Sequence, residues 1–131
     1  MSDSNSNPRI LIVEDEVLVR MFAADSLEDA GFKVEQAGNA AEALAKVHAL
    51  GQQLQAIVID LGLPDRPGDA VAAEIRALLA DVPILIASGR SERELKERFA
   101  VDRRIAVMVK PYTGPMLIDA LAALGATATP L

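Results

Sequence analysis

The chain has no cysteine and no tryptophan, and its aromatic residues number four: Phe22, Phe32, Phe99 and Tyr112. Without cysteine there is no disulfide framework, no thiolate metal site and no cysteine nucleophile. The single histidine, His48, cannot build a histidine-ligated metal site. It lies in a helical stretch far in sequence from the acidic motifs and reads as a surface residue. With so few rings, the core must be built from Val, Ile, Leu and Ala. Positive charge is also scarce: 13 basic residues face 19 acidic ones, leaving a net charge of −6. Such a balance repels a polyanion, so no nucleic-acid partner is expected. No apolar run approaches the roughly 20 residues that span a bilayer. Residues 1–8 have neither the basic start nor the apolar stretch of a signal peptide. A soluble cytoplasmic protein, with no membrane partner and a disordered tail over residues 1–8, is the expectation.

What is present suits one globular domain. The chain has 131 residues, and 51% of them are hydrophobic, enough to bury a core. Short apolar runs alternate with longer amphipathic stretches. Residues 9–13 (RILIV) form a continuous β-branched run, as expected of a strand buried on both faces. A helical stripe follows, with Val19, Phe22, Ala23, Ser26, Leu27 and Ala30 on one side and Gly31 at its end. Residues 33–37 read as a second strand. Asn39 reads as an N-cap, with Glu42 three residues on in a capping-box arrangement. Ala40, Ala43, Leu44 and Val47 make the apolar face of the helix that Gly51 closes.

The third strand is read over residues 56–59, with Asp60 last or just beyond. Residues 61–68 carry two prolines and two glycines and must be a loop. A third helix over residues 69–79 points Val71, Ile75 and Leu78 inward. The fourth strand spans residues 83–87. The charged stretch 91–99 predicts an exposed, weakly held helix with Glu92–Lys96 and Glu94–Arg98 pairs. Residues 105–109 form the fifth strand. A last helix from Thr113 buries Leu117, Ala120, Leu121 and Leu124, and a frayed tail follows over 125–131. Strands alternating with helices, (βα) five times, imply a five-stranded parallel sheet, doubly wound with helices on both faces.

In such sheets ligands bind beyond the carboxyl ends of the strands. This sequence places Glu14 and Asp15 there after the first strand, and Asp60 after the third. Ser88 follows the fourth strand and Lys110 the fifth. Each alone has an ordinary explanation, since strand-end acids cap helices, a serine caps the next helix and a lysine is surface charge. Together, four segments deliver three carboxylates, a hydroxyl and an ammonium to one rim. Clustered carboxylates favour a divalent cation, and oxygen-only donors suit Mg²⁺ or Mn²⁺. The cation and Lys110 would gather the charge of an incoming phosphoryl group. Ser88 would hydrogen-bond it and Asp60 would be the nucleophile.

The motifs are LIVEDE (residues 11–16), VIDLGLP (58–64) with Gly68, IASG (86–89) and VKPY (109–112). Over about residues 9–124 the sequence resembles the receiver domain of two-component response regulators. The resemblance implies a flavodoxin-like sheet of strand order 2-1-3-4-5. It implies Asp60 as phosphoacceptor, Asp15 as a direct Mg²⁺ ligand, and Glu14 as a ligand acting through water. The backbone carbonyl of Gly62 becomes the third protein ligand. Ser88 becomes the hydroxyl that moves toward the phosphoryl group, and Lys110 bridges to that group. The Lys110–Pro111 peptide is expected to be cis. The implied partners are a histidine kinase or a histidine phosphotransfer protein. The fourth helix, fifth strand and fifth helix would form the partner surface, in a monomer or weak dimer. A single-domain chain would signal by protein contact or onward phosphotransfer, and would hydrolyse its own acyl phosphate.

The sequence departs from the family pattern at four places, and at one of them Ser88 replaces the commoner threonine. Val107 occupies the usual switch-aromatic position, with Tyr112 the nearest substitute or else a packing residue. Gly62 and Arg90 occupy positions that tune loss of the phosphoryl group. Three other functions fit the sequence less well. An aspartate-nucleophile phosphatase needs a second acid two residues after the nucleophile, where Gly62 stands. A phosphorylation-independent binding module usually lacks a key residue, and here all are present. A flavodoxin-like cofactor carrier lacks its phosphate-cradling loop, since acids follow the first strand instead.

Overall fold

A computed structural model describes residues 8–89, 91–100 and 102–127, without the side chain of Glu92. The expectations for residues 1–7 and 128–131, for Arg90 and for the Glu92–Lys96 pair lie outside the described residues. The strands are β1 (Arg9–Val13), β2 (Lys33–Ala37), β3 (Leu54–Asp60), β4 (Ile84–Ser88) and β5 (Ile105–Val109). The helices are α1 (Val17–Asp29), α2 (Ala40–Leu50), α3 (Gly68–Leu78), α4 (Glu92–Arg98) and α5 (Gly114–Ala123). All strand pairs are parallel, and the order is β2-β1-β3-β4-β5. This is the doubly wound (βα)5 sheet expected above.

Alternation along the strands feeds two cores. Leu11, Val13, Ile57, Ile59, Ile84 and Ile86 pack on one face with Ala43 and Val47 of α2 and Val71 and Ile75 of α3. Ile10, Ile12, Ala56, Val58, Leu85 and Ala87 pack on the other with Leu27 of α1 and Leu117 and Leu121 of α5. β1, β3 and β4 are covered on both sides, which is why they read as unbroken apolar runs. β2, at the edge, carries Glu35 paired with Lys46 and Arg9, and charge at an edge blocks further pairing.

Glycine closes two helices in the same way. At the end of α1, Gly31 adopts φ 102°. Its N–H donates to Glu28 O, and Phe32 N–H donates to Leu27 O. At the end of α5, Gly125 (φ 97°) donates to Ala122 O and Ala126 donates to Leu121 O. Both are 6→1 and 5→2 closures of the Schellman type, which need a left-handed residue. The expected fraying directly after Gly125 is therefore corrected, because Ala126 is buried against the α1/α5 core.

Other readings also need correction. Leu78 is 45% exposed. α3 ends there, and Leu79 and Val82 fill the end of the core instead. Phe22 is 46% exposed: Ala23, Ala24 and Leu27 face the sheet, and the Phe22 ring lies 6.5 Å from that of Tyr112. On α4, Arg98 reaches Asp69 of α3 rather than forming the expected pair with Glu94, and Arg93 lies 3.6 Å from Glu97. The helix is exposed as expected, but Leu95 is fully buried beneath it. At α2, Asn39 accepts from Glu42 N–H as read, whereas Glu42 Oε1 accepts from Gly38 rather than from the cap residue itself.

Candidate functional site

Parallel register brings the rim residues level. Val13 pairs with Ile59 and Asp60 with Ala87, so Glu14 and Asp60 leave the sheet side by side. Ser88 pairs with Val109, and Ser88 O accepts from Lys110 N–H at 2.8 Å. Four strand ends, distant in sequence, thus become one surface. Asp60, Glu14 and Ser88 are the three buried polar or charged residues among those described, and Asp15 is exposed.

Glu14 is held at every polar atom. Its N–H donates to Ala37 O, and its carbonyl accepts from Arg20 Nη1 at 2.8 Å. Its Oε2 accepts from Glu16 N–H at 3.1 Å, and its Oε1 accepts from Lys110 Nζ at 2.8 Å. Lys110 Nζ also lies 3.4 Å from Asp60 Oδ1. Burial pushes the Glu14 carboxyl above its ordinary value, with the Lys110 hydrogen bond pulling the other way. Burial likewise opposes the Lys110 ammonium, but hydrogen bonding to Glu14 and the charge of Asp60 win and raise it. Lys110 therefore stays charged near neutrality.

Carboxylate oxygens of Glu14, Asp15 and Asp60 lie within 4.8 Å of one another. One ammonium cannot balance three carboxylates. The excess negative charge and the oxygen-only donors fit a hard divalent ion such as Mg²⁺ or Mn²⁺. Gly62 puts no side chain against the Asp60 carboxylate, and a Cβ there would lie 3.7 Å from Asp60 Oδ2. The adjoining turn is tight instead. A Cβ on Gly68 would come 2.5 Å from Asp60 O and 2.6 Å from Leu61 Cα. Only glycine lets α3 begin so close to the Asp60 backbone.

Every rim residue named from the sequence is thus found in one place. Two others separate. Val107 packs on the α2/α3 side of the sheet, and Tyr112 packs on the α1/α5 side beside Phe22. Tyr112 therefore does not occupy the space of a ring at position 107. Burial first, and the nearby Glu14 charge second, raise the Tyr112 hydroxyl pKa. The Lys110–Pro111 bond is cis. His48 is exposed. Ser91, not Ser88, caps α4. Sequence reasoning missed Arg20 and Asp65, whose partners lie across loops. Asp65 accepts from Ala40 and Ala41, at the start of α2.

Relatives share this frame. The chain is 36% identical over 116 residues to the transcriptional regulatory protein PdtaR of Mycobacterium tuberculosis, covering 86% of this chain and 54% of that one. It is 28% identical over 112 residues to the sensor kinase CckA of Brucella abortus, covering 86% of this chain and 12% of that one. The chain thus spans about half or less of these relatives. The chemotaxis protein CheY4 of Vibrio cholerae superposes with a TM-score of 0.81 at 26% identity, covering 89% of this chain and 98% of that one. No described helix is long and apolar enough to cross a membrane. Residues 10–122 match the family described as the response regulator receiver domain, and with the 2-1-3-4-5 sheet and its acidic rim in place the chain belongs to that family, a phosphoacceptor switch of two-component systems.

Proposed function

We propose that Asp60 accepts a phosphoryl group from a phosphohistidine of a histidine kinase or histidine phosphotransfer protein, in a Mg²⁺-dependent reaction. The observation that carries this reading is Lys110 Nζ, which bonds Glu14 and faces Asp60 while Asp15 completes the acid cluster. Glu14, Asp15, Asp60 and the Gly62 carbonyl are the groups that would hold the metal. When bound, the ion offsets charge on the phosphoryl oxygens. The Asp60 carboxylate forms the new O–P bond as the donor's N–P bond breaks, and the imidazole nitrogen keeps the electron pair. Lys110 is placed to pair with the phosphoryl oxygens, and Ser88, next to Lys110 through its backbone, donates its hydroxyl to one of them. Water later attacks phosphorus, and Asp60 is the leaving group, so the domain switches itself off.

A protein donor fits the surroundings of the site. Leu18 is 80% exposed and Phe22 46%, and with Val19, Pro111 and Tyr112 they line an apolar pocket that reaches Lys110. An exposed apolar surface next to a phosphoacceptor suits a protein donor better than a small phosphate ester. Residues 9–124 are read as the receiver domain, cytoplasmic, monomeric or weakly dimeric through α4, β5 and α5. The signal leaves by protein contact or onward phosphotransfer.

The test is intact-protein mass after incubation with acetyl phosphate, with and without Mg²⁺. Wild type gains one phosphoryl group only with Mg²⁺, and Asp60→Asn gains none. Equal labelling of Asp60→Asn would remove Asp60 from its role. Absence of labelling from both acetyl phosphate and phosphohistidine donors would favour a phosphorylation-independent binding module.

A further inference from the structure

We propose that Asp65 is a positioning residue for the metal, latching the loop between β3 and α3 onto the N-terminus of α2 and so restricting the backbone of Gly62. The inference rests on the reading above, in which the Gly62 carbonyl is a ligand.

An acid at the tip of an exposed Pro-Asp-Arg-Pro loop has no need of partners other than water. Here both Asp65 oxygens are engaged: Oδ1 accepts from Ala40 N–H at 2.8 Å and Oδ2 from Ala41 N–H at 3.1 Å. These are the first two helical N–H groups of α2, which have no partner within their own helix. Asn39 already serves the third, accepting from Glu42 N–H at 2.8 Å. The helix N-terminus favours a carboxylate, and the paired, charge-assisted bonds give the latch direction as well as strength. The Ala40 N–H in particular holds the Asp65 carboxyl below its ordinary value.

The frame to which the loop is latched is rigid, since Ala40 and Ala43 are fully buried. The base of the loop is fixed elsewhere. Leu61 N–H donates to Ala87 O and Gly68 N–H to Leu61 O, both at 3.1 Å. Leu63 is buried, and Pro64 and Pro67 have restricted φ. Gly62 is the residue of this loop with the widest backbone freedom. Without a tie beyond it, Gly62 samples more conformations, and ordering it on metal binding costs affinity.

The experiment is a calorimetric Mg²⁺ titration of the full chain, paired with thermal melts in the absence of metal. Asp65→Ala is expected to weaken Mg²⁺ binding about tenfold, the lower end for an outer partner of a metal ligand. Asp65→Asn, which keeps one acceptor oxygen, is expected to fall between the two and carries the test if Asp65→Ala does not fold. Asn39→Ala uncaps the same helix without touching the loop. It should lower the melting temperature yet keep wild-type Mg²⁺ affinity. Wild-type affinity in both Asp65 variants, or equal weakening in Asn39→Ala, would overturn the latch. Asp15→Asn separates the two levels. If it too binds Mg²⁺ like wild type, the metal assignment itself fails and the proposal falls with it.

Discussion

Two partly buried cations stand on opposite sides of the fold, and their surroundings differ. Arg76, on α3, donates Nε to Asp102 at 2.9 Å, and its Nη1 reaches the carbonyls of Leu79, Ala80 and Val82. One acid balances one base, and the neighbouring acceptors are the neutral carbonyls of a helix end. The pair ties the exit of α3 to the segment entering β5. Lys110 is buried to a similar degree, with side-chain exposure of 21% against 19% for Arg76. Its neighbours, however, are Glu14, Asp60 and, through them, Asp15. Arg76 and Asp102 balance in charge, although the buried Arg76 Nη2 has no hydrogen-bond partner among the described residues, whereas three carboxylates around one ammonium leave charge that only a further cation can offset. Burial marks neither cation as functional. The imbalance does.

The sharpest break in the comparison is kinetic. Lys110→Met is expected to slow phosphorylation of Asp60 by acetyl phosphate by about 10²-fold, the usual loss when one charge-stabilising group is removed. Arg76→Met should leave that rate close to wild type. In urea unfolding the order reverses. Arg76→Met is expected to cost about 2 kcal/mol, below the range for a fully buried pair because Arg76 and Asp102 both see solvent.

A third effect is smaller. At a Mg²⁺ concentration ten times the dissociation constant, the ion should stabilise wild type by roughly 1.4 kcal/mol. Thermal melts should show that gain retained in Arg76→Met and reduced in Asp15→Asn.

The smallest effect is a pH dependence. The Glu14 carboxyl is held by burial above its ordinary 4.5. The folded metal-free protein therefore binds that proton more tightly than the unfolded chain. Its contribution to stability is lost as pH rises from 4.5 through the raised value. Mg²⁺ affinity should climb over the same window, because the metal competes with the proton. Calorimetric titrations across that window check the sign, and a flat profile would remove Glu14 from the metal site.

Much of this was legible along the chain. Strands β2 and β5 carry the boundaries read from the sequence, and Asn39 is the side-chain cap that its position predicts. The rim residues could be named because each strand stops at its polar residue, a local event that a parallel sheet converts into a shared edge. Sequence periodicity misplaces a side chain where a helix ends or lies over small residues, as with Leu78 and Phe22. Periodicity gives the angle around the helix, but not which turn still overlies the core. Asp65 had no sequence signal at all, since its partners lie 24 and 25 residues away and are backbone groups.

Element order, parallel topology and the inventory of reactive groups were therefore settled by local patterning, since hydrophobic period and turn chemistry act over a few residues. The tertiary structure alone decided which charges meet. Lys110 and Glu14 are 96 residues apart, and only the strand order and its register bring one ammonium between Glu14 and Asp60 while leaving the excess negative charge of the cluster in need of a cation.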